Sequence, residues 1–240
     1  MPQQDSHAWC SHGNRLYHAG AYEEAIETFD RAIALDHKLA VAWHSRGLAL
    51  GQLGRYEEAA HSLSRALKFA PEDYKALYNY GKVLLRLKRY REALISLSQV
   101  TEMKPDNYKA WYYRGRTQIY LGKYEEALES LNRTLSIQPT ENRAFKERAI
   151  TLARLGRYDA AIWHFDVLLK EQPDHAGIWY SKARCYALQE DSEQAIRCLK
   201  HLVKVSPNLY LTLVQIDSNF TRIRQNSEFQ SWLEEANQWA

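Results

Sequence analysis

The chain has 240 residues and a formal net charge of +3, with 45% hydrophobic and 25% charged residues. That balance excludes a disordered chain, and no apolar run approaches the ~20 residues of a membrane-spanning helix. Cys10, Cys185 and Cys198 are too few and too scattered for a disulfide framework, and the opening MPQQDSHAWCSH has neither the basic region nor the apolar core of a secretory signal, so a reducing, cytoplasmic setting is expected.

The sequence repeats with a period of 34 residues, in six units that begin near Ser6, Ala40, Tyr74, Tyr108, Asn142 and Ala176. The first unit (6–39) carries small residues at Gly13 and Ala25, a turn glycine at Gly20, then Tyr22 and the acidic pair Glu23/Glu24. The second (40–73) has Trp43, Gly47, Gly54, Tyr56, Ala59, Ala66 and Pro71 at the equivalent places. The third (74–107) keeps Gly81, Tyr90, Ala93 and Pro105 but puts Lys88 where the turn glycine stood. The fourth (108–141) has Trp111, Gly115, Gly122, Tyr124, Ala127 and Pro139; the fifth (142–175) has Ala149, Gly156, Tyr158, Ala161 and Pro173. The sixth (176–209) departs most, with Glu190 for glycine and Ser192 for tyrosine, though Ala183, Ala195 and Pro207 hold their columns.

Each column has a physical reading. Apolar residues such as Trp111 and Ile119, then Tyr124, Ala127, Leu128 and Leu131, fall at helical spacing. The glycine breaks the helix where a left-handed backbone is needed, the small residues let two helices approach closely, and the proline stops the second helix. Each unit is thus a helix–turn–helix pair. The pattern of an aromatic, a small residue, G-x-Y-x-x-A, A and P, met most fully by Trp43, Gly47, Gly54, Tyr56, Ala59, Ala66 and Pro71, resembles the tetratricopeptide repeat (TPR) family over residues 6–209. The expected fold is all-α: an α-solenoid of about six repeats in a single domain over 1–240, closed by a cap over 210–240. Leu211, Leu213 and Val214 should cover the last repeat, and Ser227 with Gln230 has capping-box spacing for a final helix. Asp217, Phe220, Ile223, Arg224, Phe229 and Leu233 resemble the terminal cap of many bacterial TPR proteins.

No phosphate-cradling glycine loop, H-E-x-x-H or C-x-x-C motif is present, so neither an enzyme nor a cofactor is expected. The pairs Glu23/Glu24, Glu57/Glu58 and Glu125/Glu126 open second helices, where negative charge favours the helix N-terminus. His7, Cys10, His18 and His44 do not assemble the four convergent ligands of a zinc site, so no metal is expected. Trp9, Trp43, Trp111 and Trp179 share a column with Leu77 and Phe145 and read as packing residues. Trp163 and Ile95, by contrast, stand in a column otherwise filled by Glu27, His61, Glu129 and Arg197, and so are expected on the surface.

Charge is distributed unevenly. The six first helices carry fourteen basic residues and one acidic residue, Glu147, which leaves the remainder acidic. The column Arg46, Arg114, Arg148, Lys182 lies beside the seam between helices, where long stems cover apolar surface and compensate the acidic second helices. The resemblance implies that first helices line a concave groove. Its inward columns then hold Lys75, Tyr78, Lys82 and Arg86 in the third unit; Lys109, Tyr112, Arg116 and Tyr120 in the fourth; Arg143, Lys146 and Arg154 in the fifth; and Tyr180 and Arg184 in the sixth. Like charges lining a concavity repel unless a counter-charge visits. The expectation is therefore a protein-interaction adaptor whose basic, tyrosine-rich groove holds an acidic peptide or protein segment; the alternative is RNA or single-stranded nucleic acid in the same groove. The carboxylate-gripping pattern of co-chaperone TPR grooves is not met, since Asn79 and Lys109 are accompanied by His44, Leu48 and Tyr113.

Overall fold

A computed structural model describes residues 5–204 and 206–238, and among them the fold is all-α. The helices are α1 (Ser6–His18), α2 (Tyr22–Leu35), α3 (Ala40–Gln52), α4 (Tyr56–Phe69), α5 (Tyr74–Arg86), α6 (Tyr90–Met103), α7 (Tyr108–Tyr120), α8 (Tyr124–Ile137), α9 (Asn142–Arg154), α10 (Tyr158–Glu171), α11 (Ala176–Leu188), α12 (Ser192–Val203), α13 (Pro207–Ile216) and α14 (Ser227–Asn237). They are the consecutive helix–turn–helix pairs of an α-solenoid fold. They fall into two compact units, Met1–Lys123 and Tyr124–Ala240, so that the division lies inside the fourth repeat.

The six hairpin turns are built alike. In each, a backbone N–H beyond the turn bonds to a carbonyl of the first helix in the 6→1 pattern that closes a left-handed helix end, as from Arg55 to Leu50 and from Asp191 to Tyr186, both at 3.0 Å. Gly54 takes φ 75° there; Lys88 and Glu190 adopt φ 60° and 64° at the same place without being glycine. The sixth turn thus follows the others despite Glu190 and Ser192. Asp191 caps its second helix by accepting from Gln194 N at 3.0 Å.

In the first unit, α1 packs on α2, α3 on α4 and α5 on α6, while the first helices α1, α3, α5 and α7 also touch one another in succession. The small-residue column sets the approach. A Cβ on Gly47 would stand 2.7 Å from Leu63 Cγ, and one on Gly81 the same distance from Leu97 Cγ. The alanine column is wholly buried at Ala25, Ala59 and Ala93 here and at Ala127, Ala161 and Ala195 in the second unit. The tryptophan column is half-buried and structural: the indole N–H of Trp43, Trp111 and Trp179 donates to the carbonyl of His37, Pro105 and Pro173 respectively, tying each first helix to the loop before it. Ile95 and Trp163 are exposed.

Of the seam column, Arg46 and Lys182 meet acids of second helices as expected, whereas Arg148 meets an amide and Arg114 a ring. Arg46 donates to Asp30 and to Ser62, each at 2.7 Å, and Lys182 reaches Asp166 at 2.5 Å. Arg148 donates to Asn132 at 3.1 Å, and the Arg114 guanidinium lies 5.0 Å over the Trp111 ring. These cations are consumed by the scaffold.

In the second unit, α8 to α12 are followed by a cap. Leu211 and Val214 of α13 are buried, Leu213 is half-buried, and Phe220, Ile223, Phe229 and Trp232 complete a core over α11 and α12. Arg224 ties the segment down by donating to the Gln215 carbonyl and to Thr221 Oγ1. The final helix is capped one residue earlier than the sequence spacing suggests: Asn226, not Ser227, accepts from Glu228 N at 2.9 Å and Phe229 N at 3.3 Å. Asparagine's short amide competes as well as serine for this place.

Candidate functional site

In the first unit the expected residues gather on α5 and α7. Residues four apart share a helix face, so Tyr78 and Lys82 of α5 lie one above the other, as do Tyr112 and Arg116 of α7. The Lys82 ammonium sits 5.3 Å from the Tyr78 ring centroid and 5.6 Å from that of Tyr113; the Arg116 guanidinium is 5.8 Å from Tyr112 and 6.0 Å from Tyr120. Lys75, Arg86 and Lys109 are exposed. Tyr120 stacks flat on Tyr90, with centroids 4.9 Å apart and planes 4° from parallel. Tyr112 is buried, so its ring supports Arg116 from beneath and offers no contact surface, contrary to the expectation that it faces the groove.

Of these side chains, Lys82, Arg86, Tyr90, Tyr113, Arg116 and Tyr120 border a cavity of about 580 Å³ lined mainly by α3, α5 and α7; Lys75, Tyr78, Lys109 and Tyr112 do not line it. Its cationic lining is Lys82, Arg86, Lys88 and Arg116; Leu48, Gly51 and Tyr56 line it too, and none of its lining residues is a carboxylate. Lys82 is the electrostatic centre. Burial, and then the positive charges of Lys109 and Arg86, push its ammonium pKa below the ordinary lysine value, and no carboxylate contributes to the shift. An ammonium half out of water, surrounded by aromatic faces and two more cations, is a seat for an anion. Asn79 is engaged elsewhere: its amide donates to the Lys75 carbonyl at 2.8 Å and lies 3.1 Å from His44 Nε2. Burial keeps the His44 imidazole below its usual pKa, although Asp73 stands 3.6 Å away.

The second unit differs from expectation. Arg143 is paired with Glu141 at 2.7 Å. Asp217, at the end of α13, sets its carboxylate against both expected groove residues of the sixth repeat, accepting from the Tyr180 hydroxyl at 2.9 Å and lying 3.3 Å from Arg184 Nε. Burial alone would raise the Asp217 carboxyl; hydrogen bonds from Asn219 and Tyr180 and the charge of Arg184 hold it below the ordinary range. The anion at Tyr180 and Arg184 is therefore the chain's own, and these two residues are not an open groove. Lys146 is half-buried and Arg154 exposed; Arg154 borders a cavity of only about 90 Å³ with Arg184 and Asn219. Asp217 stands 34 residues after Ala183, where the small-residue column would continue, and a carboxylate in that column was the signal that this segment does something else.

Tetratricopeptide repeat family models match residues 44–98, 108–141 and 152–215, and a TPR repeat model matches 13–54. The chain belongs to the tetratricopeptide repeat family. A protein prenyltransferase alpha subunit repeat model also matches 90–117, a stretch that spans α6 and most of α7. No curated protein matches the sequence. Solved structures with the same TPR fold include YrrB, described as a TPR protein with an unusual peptide-binding site (23% identity, 80% of this chain and 100% of that one, TM-score 0.69). MamA from Desulfovibrio magneticus RS-1 matches at 23% identity over 71% of this chain and 96% of its own, with TM-score 0.67. Pseudomonas aeruginosa pilF matches at 20% identity over 94% and 96%, with TM-score 0.68. At these identities the likeness is one of fold.

Among the described residues no group of three or more His, Cys, Asp or Glu is placed to hold a metal ion, and no helix is long and apolar enough to cross a membrane. The three cysteines are buried free thiols, with burial pushing Cys185 up to about 12 and Cys198 to about 11.

Proposed function

We propose that this TPR protein is a non-catalytic adaptor that holds an acidic peptide or protein segment against α5 and α7 of its first unit. The observation that carries the reading is Lys82, half-buried in an open cavity, whose charged neighbours are Arg86 and Lys109. Lys75 and Lys109 extend the cationic face, and Tyr120, exposed although one of its faces stacks on Tyr90, adds apolar contact area with a hydrogen-bonding tip. YrrB, a TPR protein with a peptide-binding site of its own, is a precedent for this use of the fold. The buried free thiols suit a reducing, cytoplasmic setting. A nucleic-acid strand is the weaker fit, because Tyr90 and Tyr120 already cover one another's faces and leave fewer platforms for bases.

The test is a Lys82→Glu, Lys109→Glu double variant. Two charge-assisted contacts of about 1.5 kcal/mol or more each are lost, which weakens an acidic partner by at least ~100-fold. Binding is read by anisotropy of a labelled glutamate-rich peptide, with a labelled oligouridine of equal length alongside. Helicity should match wild type, since the change relieves like-charge repulsion. Unchanged peptide affinity rejects the reading, and preference for the oligouridine with a steep salt slope replaces it with the nucleic-acid reading.

A further inference from the structure

The turn after α5 carries a residue that its fold does not explain. Four of the six hairpin turns place glycine at the left-handed position: Gly20, Gly54, Gly122 and Gly156, with φ between 74° and 83°. The third turn places Lys88 there at φ 60°, and the sixth places Glu190 at φ 64°. A side chain with a Cβ is strained in that conformation, and such strain persists where the side chain has a task. Glu190 has one, accepting from Arg222 at 2.8 Å and so tying the sixth turn to the cap. Lys88 has none within the fold. It is exposed, Arg89 beside it takes the carboxylates of Glu57 and Glu92 at 3.9 and 2.6 Å, and no carboxylate among the described residues pairs with Lys88. The negative end of the α5 dipole favours a cation, but Arg86 in the last helical turn already supplies one.

What Lys88 does border is the cavity of the first unit. Lys82 and Arg116 hold the same repeat position 34 residues apart, on the touching helices α5 and α7, and Arg86 follows Lys82 by one helical turn. With Lys88, four cations from two helices and a turn line one cavity that has no carboxylate in its lining. The stacked rings of Tyr90 and Tyr120 line it as well. Carboxylates strung along a segment suit cations strung along a groove; cations gathered on one cavity suit a single anion of high charge. A phosphate monoester brings nearly two charges and three strong acceptor oxygens, and arginine's planar fork matches it with paired hydrogen bonds.

We propose that this cavity receives a phosphorylated side chain of the bound segment, with Lys88 as a phosphate contact beside Lys82, Arg86 and Arg116. The proposal rests on the acidic-segment reading above and narrows its ligand from any acidic stretch to a phosphorylated one.

The experiment uses the full chain and labelled glutamate-rich peptides whose central residue is phosphoserine, phosphotyrosine or glutamate, with a labelled oligouridine alongside. Wild type should bind at least one of the two phosphopeptides tenfold or more tightly than the all-glutamate peptide. Lys88→Gly should weaken that phosphopeptide at least fivefold while raising the urea midpoint, because it removes a phosphate contact and relieves the left-handed strain together. A purely structural lysine would not move affinity and stability in opposite directions. Lys82→Glu should lose every peptide; the comparison among peptides on wild type stands whatever that variant does to the fold. If neither phosphopeptide outbinds the all-glutamate peptide and Lys82→Glu abolishes all three, the phosphate proposal is overturned and the acidic-segment reading survives. Full phosphopeptide affinity in Lys88→Gly also overturns it, as does a preference for the oligouridine. If no peptide binds, both readings fall.

Discussion

Helix α3 holds two glycines one turn apart, Gly47 and Gly51, and the structure assigns them opposite reasons for being glycine. Alanine at an unstrained helix-interior position is better than glycine by about 0.8–1.0 kcal/mol. At Gly51, the penultimate residue of α3, nothing within 4 Å opposes the added methyl, so Gly51→Ala should realise much of the gain. At Gly47 the same methyl would stand 2.7 Å from Leu63 Cγ and 3.2 Å from the Ala59 carbonyl oxygen, a backbone atom that cannot swing away. Overpacking of this kind costs about 1–3 kcal/mol, which cancels or outweighs the helix gain. The net expectation for Gly47→Ala is a loss of about 0–2 kcal/mol, and the two variants differ by about 1–3 kcal/mol. For a chain of this length 1 kcal/mol corresponds to about 2–4 °C. Thermal unfolding followed by circular dichroism, with urea midpoints as a second measure, should place Gly51→Ala a few degrees above wild type and Gly47→Ala at or below it. Two variants of equal stability, or the reverse order, would refute both the close approach of α3 to α4 and the open space beside Gly51.

Lys88 occupies a left-handed turn position at φ 60°, which costs a non-glycine residue about 1 kcal/mol or more; glycine's extra freedom in the unfolded chain returns about half of that, so Lys88→Gly should raise the urea midpoint by the equivalent of about 0.5 kcal/mol. Lys82 predicts a pH dependence. Its pKa is lowered in the folded chain by burial and by Lys109 and Arg86, so the unfolded chain holds this proton more tightly and stability rises as pH increases from the folded pKa toward 10.5. Affinity for an acidic peptide should move the other way, falling as Lys82 deprotonates below the ordinary lysine range. A titration across that range with proton uptake measured on binding checks this, and Lys82→Arg should abolish the fall.

The fold was legible because the residues that build it recur. Gly47 and Gly81 make the same close approach, Tyr56 and Tyr90 open the same kind of helix, and Trp43, Trp111 and Trp179 donate to loops six residues back; a single period exposes all of them. Charge neutralisation at the seam was legible for the same reason, since Arg46 and Lys182 meet acids 16 residues earlier. The site was only partly legible. Periodicity places Lys82, Arg86 and Lys109 on inner helices, but it is blind to partners outside the repeat. Asp217 belongs to the cap, and it alone converts Tyr180 and Arg184 from open residues into a closed contact. Burial of Tyr112 was hidden too, because its column neighbours Tyr78 and Tyr180 are half-buried and only the packing around α7 covers the ring.

Two kinds of cation thus stand on the same helices, and the distinction between them is what makes the first unit a candidate binding surface. A scaffold that needed positive charge only to offset its acidic second helices would place it at the seam, as Arg46 does with Asp30 at 2.7 Å. Lys82 is instead held where burial and two like charges oppose its ionisation, with an open cavity in front of it. Repulsion of this sort weakens the fold of the free protein and is relieved by an incoming anion. The occupied counterpart in the sixth repeat shows the relieved state: there Arg184 and Tyr180 hold a carboxylate and the inner face is closed by the chain itself.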